Sequence, residues 1–507
     1  MDISSTVWSG LKKLTKDITT VAITCLQWGD TGKGKFVDLF ARWAKIIARG
    51  TGGDNAGHSI WSNGVGHVFH LIPSGILYDS EGKINIIGTG TVVYPKTLCH
   101  ELALLRKDGL SYNNLMLSLN AKLILPTHIV LDNVQECLAG NSGKIGTTGK
   151  GIGPAYADHV ARFGLVVNDL LNTDVFATKL KRHLAHKRAI LANCDSEILK
   201  VALNKPHLEN GLYYDSKVIF RIDAIFEKYM AYGKELAPLI RETDFFLQSQ
   251  VGRKKILLEG AQGVLLSPKY GSYPFVTSSD CSVHGLAEGV GLTRSQVDLS
   301  LGIVKGFYMT RVGDGPFPTE MGGERSDKWC NGGEGSRELE SSRYGDAGIN
   351  DKDEFLQGVA LRRIGQEFGA TTGRPRRTGW LDLPLLKHSL RISGPDVILT
   401  KLDVLNGLEE IKVCTAYKYC GPDFRYGEEK IRSGGILKEA IPVSEVLQYC
   451  QPVYEKHAGW PGELRGISSF DGLPSELKKI LKSVVEKTGL NPRIISIGQD
   501  REETIFA

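Results

Sequence analysis

No two of the nine cysteines in this 507-residue chain form a C-x-x-C pair. Neither a zinc site nor a disulfide framework is therefore indicated, and free thiols in a reducing compartment are the simpler reading. No apolar run approaches the roughly 18 residues of a membrane span, which argues against a membrane protein. The opening residues carry Lys12, Lys13 and Lys16 beside Asp2 and Asp17 and lack a secretory apolar core. Residues 1–20 thus read as a short N-terminal extension, with a transit peptide as the alternative, and the expected location is cytoplasmic. Strong charge of one sign is also missing. With 62 basic and 57 acidic residues the net charge is +5, too mild for nucleic acid but suited to an enzyme handling several phosphates. No internal repeat of fixed period is present. The remaining totals, 41% hydrophobic and 23% charged, are those of a soluble globular protein with room for a large core. Glycine is plentiful at 59 residues, which suits many turns and close backbone approach to ligands.

Strand-like and helix-like patterns alternate, which predicts an α/β fold with a mostly parallel sheet. Candidate strands are Ile84–Ile87, Leu123–Leu125, Ile256–Leu258, Leu299–Val304, Val397–Leu399 and Ile494–Ile497; helical patterns cover Pro95–Arg106, Asp174–Asn193 and Phe355–Phe368. Gly322–Glu354 is rich in Gly, Ser and charge and poor in apolar residues, so it reads as a flexible insertion at 322–354. No clean linker divides the chain.

The chemistry starts at VAITCLQWGDTGKGKFVD, Val21–Asp38. An apolar, partly β-branched run, a glycine-rich turn and an apolar-periodic segment make strand, loop and helix, the setting of a phosphate loop. Gly29-x4-Gly34-Lys35 fits the first part of the pattern G-x-x-x-x-G-K-[ST]. Phe36 stands where a Mg²⁺-binding hydroxyl belongs, and Asp30 offers a replacement oxygen ligand. The plain alternative is a glycine-rich turn with solvated lysines.

Further polar loops follow. TGGDNAGHS (Thr51–Ser59) sets Asn55 and His58 among glycines, which suits a proton donor or oxyanion partner as well as a structural histidine. GTTGKGIGPA (Gly146–Ala155) offers Thr147, Thr148 and Lys150 to a phosphate, or is a surface turn. EGAQGV (Glu259–Val264) follows a predicted strand, and ligands of open α/β sheets bind beyond the carboxyl ends of strands, so Gln262 can reach one. GSYPFVTSS adds Thr277, and ATTGRPRRTGW presents Arg374, Arg376 and Arg377 as forks for carboxylates or phosphates. TKLD, Thr400–Asp403, is how a guanine reader could look: the carboxylate accepts from guanine N1–H and N2–H₂, two donors adenine lacks, while the lysine stem packs on the ring. A surface Lys–Asp pair is its alternative.

Taken together, QWGDTGKGK, GGDNAGHS, GTTGKGIGPAYADHVARFG, EGAQGVLL, GSYPFVTSS, TRVGDGPFPTE, GATTGRPRRTGWLD, TKLDVLNGL and SIGQDRE resemble the adenylosuccinate synthetase family, in order and with similar local spacing. The resemblance runs from about Val21 to Ala507, interrupted chiefly after Met321 and near Lys179–Lys254. It implies one domain over 21–507 with a P-loop-like GTP-binding fold: a large, mostly parallel central sheet, helices on both faces and long excursions. It implies an enzyme that joins IMP and L-aspartate while cleaving GTP as co-substrate, with one Mg²⁺ per subunit, in the committed step towards AMP. By match to the family's motifs, Asp30 is the base at purine N1 and, with the carbonyl of Gly57, a Mg²⁺ ligand, and His58 is the acid at the 6-oxygen. Gly29, Asp30, Thr31, Gly32, Lys33, Gly34, Lys35 and Arg376 would hold GTP, with Lys401, Leu402, Asp403, Ser496, Ile497 and Gly498 around guanine. IMP would meet Asp30, Thr31, Gly32, Lys33, Asn55, Ala56, Gly57, His58, Thr148, Gln262, Thr277 and Arg374, plus Arg162 contributed across a homodimer interface. Aspartate would lie on Ala370, Thr371, Thr372, Gly373, Arg374, Pro375 and Arg376. No nucleic-acid or membrane partner is implied.

The chain departs from the family's usual residues at Thr31, Asp54, Thr89, Lys150 and Gln499. None of these removes an expected catalytic group, but Thr31 and Asp54 are expected to flank the purine. Two other readings compete: a related ligase acting on another 6-oxopurine nucleotide such as dGMP, and a GTP-binding switch protein. Asp30 favours IMP, because a 2-amino group would crowd its carboxylate.

Overall fold

A strand buried on both faces needs a continuous apolar run rather than alternation, and the run at Val21 is used in this way. It forms β1 (Thr20–Cys25), every residue of which is buried. The protein is described here by a computed structural model, which covers residues 4–507 apart from 56, 63–64, 204–212, 215–218, 334 and 370–372. In chain order the main sheet continues with β2 (Ile46–Arg49), β3 (Ile84–Ile87), β4 (Leu115–Ser118), β5 (Ile240–Arg241), β6 (Ile256–Glu259), β7 (Leu299–Lys305), β8 (Asp396–Thr400), β9 (Asn491–Ser496) and β10 (Thr504–Phe506). Its ten strands lie in the order β5-β4-β3-β2-β6-β1-β7-β8-β9-β10. Neighbours run parallel except β10, which closes one edge antiparallel to β9. The chain leaves β1, builds outward to β5, returns to insert β6 beside β1, and then builds the other way from β7. The sheet therefore changes direction beside β1, and the carboxyl ends of β1, β6 and β8 open onto one crevice.

Helices cover both faces, as expected. α1 (Ser5–Leu14) and α2 (Lys33–Trp43) share a core with Val21, Ile23 and Leu257, while the helix Val283–Glu288 packs with Ala22, Ala48 and Leu258 on the other side. α1 comes from the N-terminal extension and lies against β10: a Cβ on Gly10 would stand 2.4 Å from the Phe506 ring. A second sheet pairs Arg377–Asp382 with Tyr308–Arg311 and Glu410–Tyr419.

Residues 322–354, expected as a flexible insertion, instead form α3 (Gly323–Asn331) and α4 (Arg337–Arg343), which lead into α5 (Glu354–Ile364). Composition misled because this segment is anchored by few apolar groups and one buried ion pair. Trp329 and Cys330 pack on Phe355 and Val359. Arg362 Nε donates to both oxygens of Glu340, each at 2.9 Å, and Trp329 Nε1 donates to Glu340 Oε2 at 2.8 Å. Both charged side chains are buried. Glu340→Ala should therefore destabilise the protein by about 3–5 kcal/mol, because it strands the Arg362 guanidinium in the interior. Denaturant unfolding is the measurement, and a loss of under ~1 kcal/mol would mean the pair is worth no more than a surface bridge.

Candidate active site

Three residues that are not glycine hold left-handed backbone just past strand ends: Asp30 (φ 49°) after β1, Gln262 (φ 50°) after β6 and Lys401 (φ 60°) after β8. Such conformations cost energy for a residue with a Cβ, and they concentrate where a chain must turn sharply to aim a side chain. All three line one cleft of about 1610 Å³ at the crevice.

The loop after β1 turns through Gly29 (φ 91°), Asp30 and Gly32 (φ 77°) into α2. It is packed tightly on the loop after β6, where a Cβ on Gly263 would lie 2.2 Å from the Gln27 carbonyl. Lys33 donates to the Gln262 carbonyl, and Thr400 Oγ1 donates to the Thr31 carbonyl at 2.9 Å, joining TKLD to the phosphate loop. The Asp30 carboxylate is 42% exposed and takes a hydrogen bond from Arg376 Nε at 2.6 Å. Against the upward push of burial, Arg376 and then Lys305 and Lys33 hold its carboxyl below the ordinary value, so it is ionised at neutral pH.

His58 lines the cleft as the first residue of the strand His58–Ser62, which pairs antiparallel with Val65–Phe69. Arg49 NH1 lies 3.4 Å from its Nδ1. A guanidinium can only donate, so Nδ1 accepts and the ring proton sits on Nε2. That nitrogen is buried without a hydrogen-bond partner among the described residues; Oε1 of the buried Glu259 is 3.6 Å away. Burial, and then Arg49, push the imidazole pKa well below its ordinary value. The result is a neutral ring that carries its N–H on Nε2. Beside it, Gln262 Nε2 donates to Asn55 Oδ1 at 3.0 Å, and Gly53 N–H donates to the same oxygen at 3.2 Å. Thr148 belongs to a loop held by the Glu136 carboxylate, which accepts from Ile145 and Gly146 N–H at 3.2 and 3.0 Å.

Gly57, Thr277, Arg374, Pro375, Asp403, Ser496, Ile497 and Gly498 line the same cleft, with Gly34, Lys35 and Phe36 from the phosphate loop. Leu402 is buried beneath it. Ala56, Ala370, Thr371 and Thr372 lie outside the described residues. Gly373 (φ 65°) is not in the wall of the cleft, nor is Arg162. Arg162 is exposed, with φ 67°, after the helix Ile152–Val160. Of the departures, Thr31, Lys150 and Gln499 line the cleft, and Asp54 and Thr89 do not. Asp54 is buried, takes a hydrogen bond from Thr97 Oγ1 at 2.7 Å and has its carboxylate 3.7 Å from Lys150 Nζ.

Two groups escaped the sequence reading. Asn331, at the end of α3, accepts from Arg374 at 3.0 Å; its signal was hidden in the segment taken as flexible. Glu367 is fully enclosed with Lys305, whose Nζ donates to Glu367 Oε2 at 2.6 Å, while Tyr308 OH donates to Oε1 at 2.7 Å. Glu367 also lies 3.7 Å from Lys401 and accepts the Arg376 N–H on its carbonyl at 2.9 Å. No motif marks it, because the partners of its carboxylate, Lys305 and Tyr308, lie far back in the chain.

Fold and cleft define a nucleotide-dependent α/β enzyme built on a phosphate loop. A family model described as adenylosuccinate synthetase matches residues 22–505. Curated adenylosuccinate synthetases of Geobacillus kaustophilus and Halothermothrix orenii are 39% and 40% identical over 489 and 482 residues, covering 96% and 94% of this chain and 98% and 96% of the relatives. A solved, fully ligated adenylosuccinate synthetase of Plasmodium falciparum superposes with a TM-score of 0.75 at 31% identity, covering 96% of this chain and all of that one. A cyanophage S-2L succinoaminodeoxyadenylate synthetase, bound to dGMP and dATP, shares the fold at 16% identity and a TM-score of 0.51, over 96% of this chain and 94% of that one. The chain belongs to the adenylosuccinate synthetase family. It is thus a ligase that uses GTP and Mg²⁺.

The His58 assignment has a direct readout. In ¹⁵N-histidine spectra its ring should remain neutral, with the proton on Nε2, as pH falls through the ordinary histidine value of 6.5. An imidazolium at pH 7, or an Nδ1–H signal, would refute this electrostatic picture.

Proposed function

We propose that the cleft joins L-aspartate to IMP, with cleavage of GTP, by phosphorylating the purine 6-oxygen and letting the aspartate amine displace that phosphate. The observation that carries this reading is one shared cleft with an ionised Asp30 and a neutral, Nε2-protonated His58 in its wall. Asp30 takes the N1 proton, which raises electron density on the 6-oxygen. His58 donates to that oxygen, so the proton work is divided between a carboxylate and an imidazole. Phosphorylation turns a poor leaving group into a good one, and the remaining demand is positioning and charge neutralisation. Residues 29–35 and Arg376 serve the GTP phosphates, and Lys401, Leu402, Asp403 and Ser496–Gly498 surround guanine. Asn55, Thr148, Gln262 and Thr277 hold IMP, and the 370–376 loop takes aspartate through Arg374.

Magnesium prefers oxygen donors, commonly one or two carboxylates completed by substrate phosphates. The half-exposed, ionised Asp30 and the Gly57 carbonyl fit that requirement. When bound, the ion would neutralise charge on the transferring phosphate. The buried cluster of His128, Asp158 and His183 does not fit. Lys187 occupies one Asp158 oxygen, and His128 Nδ1 accepts from Leu125 N–H at 2.9 Å, which leaves Nε2–H to donate to the other oxygen at 2.9 Å.

We further read the working form as a homodimer and residues 21–507 as one domain. Arg162 stands exposed beside Val160, which is 81% exposed, as a residue reaching a neighbour's IMP phosphate must. A cytoplasmic location is supported by nine free cysteines. Among the described residues no helix is long and apolar enough to cross a membrane.

IMP and dGMP, supplied separately with GTP and aspartate, distinguish the two ligase readings by absorbance; failure to turn over IMP rejects the one made here. Asp30→Asn and His58→Asn should each lower kcat by about a hundredfold, and near-normal turnover would reject their roles. Arg374→Leu should chiefly raise the KM for aspartate. Asn331→Ala should do the same by about fivefold, the worth of one hydrogen bond. An unchanged aspartate response in both would move that site elsewhere.

A further inference from the structure

Lys35 ends the phosphate-loop motif, where a cation conventionally faces phosphate. Its ammonium points elsewhere. It donates to Ser496 Oγ at 2.8 Å, to the Gly498 carbonyl at 2.9 Å and to the Glu503 carbonyl at 2.9 Å. A lysine ammonium has three N–H groups, and all three are taken by the loop after β9. Lys33, by contrast, donates to one acceptor among the described residues, the Gln262 carbonyl.

One helical turn on, Asp38 makes a second attachment to the same loop. Arg501 Nε donates to Asp38 Oδ2, while Tyr78 OH donates to Oδ1 at 2.6 Å. Positions i and i+3 share a helix face, so the first turns of α2 grip the 496–503 loop at two points. The loop is itself folded tightly: Ile497 N–H donates to the Glu503 carbonyl at 3.1 Å, and Asp500 N–H to Glu503 Oε2 at 2.9 Å.

We propose that Lys35 and Asp38 are positioning residues that fix the guanine-binding loop to the phosphate-loop helix, so that base recognition is set by the placement of the phosphate loop, and that Lys35 serves the phosphates through its backbone N–H alone, its ammonium being no phosphate contact. This rests on the reading of Ser496–Gly498 and Asp403 as the guanine site. The acidic groups facing Lys35, Glu503, Asp403, Asp500 and Glu502, partly offset the cost of burying it and keep it attached to the loop.

The test uses guanosine, which has a base and no phosphate, and inorganic tripolyphosphate, which has the reverse, as competitive inhibitors against GTP. Lys35→Met should weaken guanosine binding by ~10-fold and tripolyphosphate by less than ~2-fold, in line with loss of charge-assisted hydrogen bonds at the loop. Asp38→Asn should weaken guanosine by ~3-fold with tripolyphosphate unchanged, as its ion pair with Arg501 is lost. IMP binding, measured alongside, reports the folded state, and where Lys35→Met fails that control Asp38→Asn decides. Wild-type guanosine affinity in the deciding variant overturns the proposal, as does a loss confined to tripolyphosphate. Asp403→Asn separates the two levels. If it leaves guanosine affinity intact, the guanine reading fails; if it lowers that affinity while Lys35→Met does not, only the attachment fails.

Discussion

Three parallel strands end in side chains held by left-handed backbone, and the cleft depends on that constraint. Asp30, Gln262 and Lys401 follow β1, β6 and β8 and line one cleft. A parallel sheet aligns the carboxyl ends of its strands, so loops distant in the chain emerge side by side. The sharp reversal at each end then directs a polar side chain into the crevice rather than along the strand. The conformational cost is met by the sheet beneath, which is apolar and enclosed on both faces.

A set of charges placed between the loops acts on that frame. Asp30 meets Arg376, and Glu367 meets Lys305 and lies near Lys401. Lys35 and Asp38 hold the last loop. Each contact joins segments that are separate in the chain. Buried pairs such as Glu367 and Lys305 contribute little net stability, but losing one partner is costly, so they favour a single relative arrangement of the segments around the cleft. His58 is the counter-example: it is kept neutral by burial and Arg49.

Much of the fold was legible in the sequence. The β1 run, the Ile84–Ile87 strand and the Pro95 helix start appear where periodicity put them, because continuous apolar runs and an N-terminal proline act locally. Residues 322–354 were misread because composition counts apolar residues, whereas α3 and α4 are secured by Glu340 and Arg362, a charged pair that only burial reveals. Glu367 and Asn331 stayed hidden for a related reason: the contacts that tie them to the cleft, with Lys305 and with Arg374, cross between separate segments of the chain.

The sequence by itself determined the phosphate loop, the order of the polar motifs and the family, since these depend on residue types at short spacings. Tertiary structure decided which charged groups face a ligand and which face one another. Lys33 and Lys35 are two residues apart in one motif, yet the second is used up by a loop more than 460 positions later in the chain. That choice follows from how the sheet stacks β9 beside β8, a long-range fact that no local pattern encodes.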